Sequence, residues 1–331
     1  MPDPNASHVA YFALGGTISM TADAGGGVIA RLGGTDLVAG LGGDLPVEVR
    51  VHDPHAVPSA SLTFADVLDT VVAAERAIAD GAIGVVLTQG TDSLEETAFL
   101  IDSIWAHDEP FVVTGAMRNP TLPGADGPAN LLAAIQVAAD PPARGRGVLV
   151  VFADEIHAAR YVRKTHSTSP ATFASPDLGP IGHVIEGTPR FLAALPRRQL
   201  ITGWTRERLA ATLIALYTTT LDDDGALLAG PGHSHHGLVL AGFGAGHVPA
   251  GLVPVIEEIL AVMPVVLTSR TGAGRVLADT YAAPGSERDL LARGVISGGY
   301  AHPYQARVLL RLLVAAGADR PAIAAAFAAL G

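Results

Sequence analysis

The sequence predicts an α/β protein of two domains, a larger N-terminal doubly wound parallel sheet and a smaller C-terminal parallel-sheet domain. Three observations predict it. Short apolar runs recur along the 331 residues, each closed by glycine or a hydroxyl residue. Stretches of helical spacing lie between them, the alternation that builds parallel sheets. A proline- and arginine-rich stretch without periodicity separates the two sets.

In chain order, His8–Leu14 is the first apolar run, followed by the helical pattern Thr63–Ala79 and the strand pattern Gly84–Thr88. Leu94–Trp105 sets Leu94, Ala98, Ile101 and Trp105 on one helical face. Phe111–Thr114 and Gly147–Phe152 are further buried strands of the continuous apolar type. The aperiodic stretch assigns a linker to residues 189–211, between an N-terminal domain 1–188 and a C-terminal domain 212–331. Gly237–Ala241 and Pro264–Thr268 are expected strands of the second domain, and Ala306–Ala316 and Ala322–Leu330 its helices.

Composition narrows the chemistry. The formal charge of −11 makes nucleic acid an unexpected partner. The absence of cysteine excludes disulfides, thiolate catalysis and cysteine-ligated zinc. Residues 225–256 carry no Asp, Glu, Lys or Arg, yet their glycines, proline and histidines argue against a membrane span. The N-terminal residues 1–7 lack a basic residue, so the first apolar run reads as a strand and not a signal peptide, and a cytoplasmic location is expected. Of the 21 basic residues only Lys164 is lysine. Composition bias accounts for the arginines; the surviving lysine is a candidate for proton exchange, which guanidinium does not perform.

In open parallel sheets ligands bind outside the carboxyl ends of the strands. After the first strand stands Leu14-Gly15-Gly16-Thr17-Ile18-Ser19, where Thr17 is either a turn residue or a nucleophile beside backbone N–H groups. Two glycines do not make the dinucleotide fingerprint. After a later strand stands Thr88-Gln89-Gly90-Thr91-Asp92-Ser93-Leu94-Glu95-Glu96. Asp92 and Ser93 each have glutamate three residues on, so a helix capping box is expected, along with a hydroxyl and a carboxylate facing the cleft. The third segment, the basic stretch Arg160–Thr168, carries Lys164, which could meet Asp92 and help deprotonate Thr91 or water.

These motifs resemble the bacterial-type L-asparaginase family. Gly15-Gly16-Thr17-Ile18 matches its first signature and Gly90-Thr91-Asp92-Ser93-Leu94-Glu95-Glu96-Thr97-Ala98 its second. Thr114-Gly115-Ala116-Met117-Arg118, residues 125–131, Lys164-Thr165 with Ala171-Thr172-Phe173, and residues 305–310 follow in family order. The resemblance implies hydrolysis of asparagine, with glutamine as a side substrate, in a homodimer or homotetramer without cofactor or metal. It implies that Thr17 attacks the side-chain amide while Thr91, Asp92 and Lys164 assist proton transfer. It further implies that Ser59 holds the substrate α-carboxylate, Asp92 the α-ammonium, and Gly16, Gly90 and Ala116 line the site. His247 and Glu287 would reach a neighbouring subunit's substrate.

One departure stands out. The family's loop tyrosine, which activates the first threonine, is replaced by Gly27 within Ala22–Ile29, a glycine-rich stretch that reads as a mobile lid. Ser19 or Thr21 could supply the missing hydroxyl. Gln89 stands where histidine is common, and Ala60 where a polar residue is usual. The missing phenol keeps open a non-catalytic or weakly active amino-acid-binding homologue, and an amidase acting on a larger amide is a further alternative. His233, His235 and His236 lie on glycine-rich flanks without a nearby carboxylate and are read as a surface loop, not a metal site.

Overall fold

The first apolar run forms β1 (His8–Ala13), buried at every residue. It lies inside an eight-stranded sheet, because strands covered on both faces carry no polar alternation. The structure, a computed structural model, describes residues 7–43, 45–53, 56–196, 199–228, 230 and 234–330. It divides the chain into two units, Met1–Arg198 and Gln199–Gly331.

In the first unit β1 is followed by the small hairpin β2 (Met20–Ala22) and β3 (Val28–Ala30), then β4 (Glu48–His52), β5 (Ala82–Thr88), β6 (Phe111–Thr114) and β7 (Val148–Phe152). The helices α1 (Gly34–Ala39), α2 (Phe64–Ala79), α3 (Leu94–Ile104) and α4 (Gly127–Ala139) come between them. The parallel part of the sheet runs β4-β1-β5-β6-β7. From β1 the chain crosses to β4 on one side, then returns past β1 to β5 and proceeds the other way. The β1/β5 boundary is therefore a topological switch point, where a crevice opens at the strand ends. Val9, Tyr11, Val86, Val112 and Leu149 pack there against Leu131, Ala134 and Ile135 of α4.

The sheet is mixed, not wholly parallel as the apolar runs suggest. β8 (Glu155–Ala158), β11 (Gly182–Ile185) and β12 (Thr188–Phe191) extend it antiparallel beyond β7. Two residues, Ala153 (φ 50°) and Asp154 (φ 63°), connect β7 to β8. A two-residue hairpin with both φ positive can only return an antiparallel strand. Ala-Asp lacks the usual glycine signal, so the turn is invisible in the sequence. β4 also goes unread, since Glu48 and Arg50 on this edge strand form an ion pair at 2.9 Å and mask its valines.

The stretch expected as a linker is partly ordered structure. Residues 189–191 complete β12, and Pro189 is tolerated there because this strand is the sheet edge. Beyond it, Leu192 and Ala193 N–H donate to Ile181 O. Arg206–Ala211 is a helix capped by the Thr205 side chain. Among the described residues of this stretch, irregular chain is confined to 192–196 and 199–205.

The second unit contains β13 (Ile214–Thr218), β14 (Gly237–Gly242), β15 (Val265–Ser269) and β16 (Ile296–Ser297), all parallel and in that order. Leu238, Leu240, Val265 and Leu267 form its core with Ile256 and Ile259 of the helix Val253–Val262. Within the charge-free stretch, Gly237–Gly242 is a fully buried strand and Val253 opens a core helix. Among the described residues, no helix is long and apolar enough to cross a membrane.

Candidate active site

Three loops converge at the switch point. Gly15 (φ 88°) and Gly16 (φ 94°) turn the chain sharply after β1, in a region that side chains disfavour. A Cβ on Gly16 would sit 2.3 Å from Gly90 N, and one on Gly90 would sit 2.4 Å from Ser59 Oγ. Gly16 lets the β1 tip meet the β5 tip backbone to backbone, and Gly90 makes room for the Ser59 side chain from the short turn Ser59–Ser61. The capping pair Thr63 and Asp66 starts α2 immediately after that turn.

Thr17 follows this contact and opens a single helical turn, Thr17–Ser19. It is half-buried, and its hydroxyl has no hydrogen-bond partner among the described residues. The chain then enters the β2–β3 hairpin, with Thr21 opposite Ile29. Asp23 N donates to Gly27 O at 3.1 Å, and Arg31 closes the hairpin on Asp23 at 3.0 Å. The segment expected as a mobile lid carries this hydrogen-bonded ribbon. Ser19 Oγ and Thr21 Oγ1 are both buried without a partner.

The second cluster is assembled by β5 and the ribbon β9 (Arg163–Lys164) and β10 (Phe173–Ala174). Lys164 Nζ donates to Thr91 Oγ1 at 2.9 Å and lies 3.4 Å from Asp92 Oδ1. Ser59 Oγ donates to Asp92 Oδ2 at 3.0 Å. Thr91 and Ser59 are buried, whereas the Asp92 side chain is 62% exposed and so faces the opening. Lys164, 73 residues away in sequence, reaches this point because Thr165 N and Oγ1 both donate to Thr172 O and close the loop behind it.

The capping box expected at Asp92 or Ser93 does not form. Ser93 occupies the cap position of α3, but its hydroxyl donates to Ser59 O at 2.7 Å and makes no cap bond. Asp92 turns to Ser59 and Lys164 instead. The candidate site has taken both side chains from the helix.

Ala116 is buried just beyond β6. Its loop is fixed by Asp126, whose carboxylate accepts from Met117 N and Arg118 N, and by Asn130, which donates to Gly115 O. A Cβ on Gly127 would meet Ile18 Cγ1 at 2.7 Å, so the start of α4 joins the Thr17 turn to the Ala116 loop. Gln89 is fully buried and donates to Gly90 O, leaving Gln89 Oε1 unpartnered.

Sequence reasoning passed over Glu95 as a site residue. It is buried in the first turn of α3, and its Oε2 accepts from Lys164 N at 3.1 Å. Burial pushes its carboxyl up to about 7, against the opposing pull of the Lys164 N–H, Arg163 and the Lys164 ammonium. The only sequence signal was its place within a capping pattern.

In the second unit His247 Nε2 and Glu287 Oε2 stand 3.0 Å apart. His247 is part-exposed; Glu287 is fully buried, its other oxygen accepting from Thr280 N and Tyr281 N. Burial pushes the Glu287 carboxyl up, but the Tyr281 N–H, its own N–H, His247 and the Thr280 N–H together hold it below its ordinary value. His236 Nδ1 accepts from Leu213 N, and His235 pairs with Ser234 Oγ; His233 lies outside the described residues. Among the described residues no group of three or more acidic or histidine side chains could hold a metal ion.

Comparison with known proteins gives the same reading for both units. The family model "Asparaginase, N-terminal" matches residues 8–197, and "Glutaminase/Asparaginase C-terminal domain" matches residues 214–327. The chain belongs to the bacterial-type L-asparaginase family. As a family member it is an amidohydrolase of the asparaginase/glutaminase class, acting on amides. It is 32% identical over 311 residues to an L-asparaginase of Bacillus licheniformis, covering 93% of this chain and 95% of that one. It is 36% identical over 285 residues to a probable L-asparaginase of Deinococcus radiodurans, covering 85% and 86%. A solved probable cytoplasmic L-asparaginase from Campylobacter jejuni superposes with a TM-score of 0.85 at 28% identity, covering 97% of this chain and 99% of that chain.

Proposed function

We propose that this asparaginase-family enzyme hydrolyses L-asparagine to L-aspartate and ammonia through a threonine-linked β-aspartyl ester, with glutamine as a side substrate. The observation that carries the reading is the 2.9 Å contact of the only lysine with Thr91 Oγ1, beside an accessible Asp92. In the first half-reaction the Thr17 hydroxyl oxygen bonds to the side-chain amide carbon. The C–N bond breaks, and the hydroxyl proton leaves with ammonia. In the second, water adds to the ester carbon and returns its other proton to Thr17 as aspartate departs. Thr91 and Lys164 carry protons in these steps, since an amine held against a hydroxyl can take and return one where guanidinium cannot.

Asp92 binds the substrate α-ammonium and Ser59 its α-carboxylate, both charge-assisted contacts. Gly16, Gly90 and Ala116 line the pocket with backbone groups. A carboxylate and a hydroxyl already bonded at 3.0 Å form a paired receptor for a zwitterion, which supports an amino-acid substrate. The second unit is proposed to complete the site of a second copy through His247, with Glu287 fixing that ring, in a homodimer or homotetramer located in the cytoplasm.

The deciding experiment is ammonia release from asparagine by wild type and by Thr17→Ala. Release by wild type and its loss in the variant support the reading; no release by wild type rejects the activity. Equal release by both rejects Thr17 as the nucleophile.

A further inference from the structure

Glu95 is, among the described residues, a buried ionisable side chain that touches the Thr91–Asp92–Lys164 cluster without a part in the proposed chemistry. It stands four residues after Thr91, in the first turn of the helix whose start presents Thr91 and Asp92. Its Oε2 accepts the Lys164 backbone N–H at 3.1 Å. The strand carrying Lys164 is a two-residue piece of a two-stranded ribbon outside the eight-stranded sheet. Phe173, opposite Lys164 on that ribbon, packs on Phe152 with ring centroids 4.3 Å apart. The Glu95 bond ties this ribbon to α3 at the residue where a small displacement would separate Nζ from Thr91.

We propose that Glu95 is a positioning residue whose ionised carboxylate clamps the Lys164 backbone to α3, so that its protonation loosens the Lys164–Thr91 contact and lowers turnover. This rests on the role given above to Lys164. A charged acceptor makes a hydrogen bond roughly twice as strong as a neutral one, so protonation weakens the clamp without removing it. The charged groups facing Glu95 are Arg163 and Lys164, which favour the anion, and Glu96 on its own helix, which opposes it. Burial outweighs the two cations and brings the ionisation to about 7, so the clamp switches across the neutral range.

The chain offers an unusually direct probe, because isotope-labelled lysine marks a single backbone amide, that of Lys164. In wild type the Lys164 amide signal should titrate with a midpoint near 7 and move downfield as Glu95 ionises. kcat for ammonia release should rise several-fold through the same midpoint. Glu95→Gln keeps an acceptor oxygen but cannot ionise; it should abolish the amide titration and flatten the kcat rise, with KM little changed. A flat amide signal in wild type overturns the proposal, even if the variant fails to fold. So does a Glu95→Gln enzyme that keeps either step. The amide titration needs no turnover, so it stands apart from the catalytic reading. If Lys164→Arg keeps full activity, the role of Lys164 falls whatever the amide shows.

Discussion

Lys164 Nζ donates to Thr91 Oγ1 at 2.9 Å, while Asp92 Oδ1, the neighbouring carboxylate, lies 3.4 Å from the same nitrogen. The ammonium therefore sits nearer the hydroxyl than the carboxylate with which it pairs, an arrangement that supports the proposed proton exchange. Lys164→Arg keeps the charge and removes the proposed exchange. The variant should fold normally and lose about a hundredfold or more in kcat, the usual worth of a general acid–base group. Steady-state ammonia release together with circular dichroism checks this, and undiminished turnover would reject it.

Gly16→Ala tests the close approach of the two signature loops. The added Cβ would lie 2.3 Å from Gly90 N, and φ of 94° is disfavoured for alanine. The change should destabilise the first unit by about 2 kcal/mol or more, since backbone on both sides has to move. Urea unfolding monitored by tryptophan fluorescence measures it; a shift indistinguishable from zero would mean the loops have room to separate.

The β2–β3 ribbon decides where a lid tyrosine could be restored. Gly27 has φ of 83°, so Gly27→Tyr would carry backbone strain, whereas Val28 is in an extended strand opposite Ala22. Val28→Tyr should raise the rate if Thr17 lacks only an activating phenol. An unchanged rate would indicate that a hydroxyl already present, such as Ser19 or Thr21, activates it.

Two buried glutamates should give pH dependences of opposite sign. The Glu95 carboxyl is raised from 4.5 to about 7, so its contribution to stability is fully present below 4.5 and is lost as pH rises through about 7. Relative to Glu95→Gln, wild type should lose up to about 3 kcal/mol across that interval. Glu287 is held below 4.5, so its contribution is present above that value and is lost as pH falls through the lowered one. Relative to Glu287→Gln, wild type should weaken only in acid. Thermal melts of both pairs against pH test the signs, and a reversed slope in either would reject that assignment.

Much of this protein is determined by its sequence alone. The buried runs that became β1, β5, β6, β7, β14 and β15 are legible because strands covered on both faces must be continuously apolar. The proposed site residues Thr17, Thr91, Asp92 and Lys164 are legible as candidates because they follow strands or occupy recognisable motifs. Other features depend on contacts distant in sequence. The antiparallel extension beyond β7 hangs on positive φ at Ala153 and Asp154, whose residue types do not announce it. The capping pattern at Asp92 and Ser93 is locally sound, yet Ser59, 33 and 34 residues earlier, draws both side chains away. Glu95 reads as one more helix-start glutamate until the fold buries it against the Lys164 backbone, 69 residues later. Local sequence determines which backbone shapes are available; only the tertiary structure decides which hydrogen-bond partner a polar side chain takes, because burial removes water as the alternative.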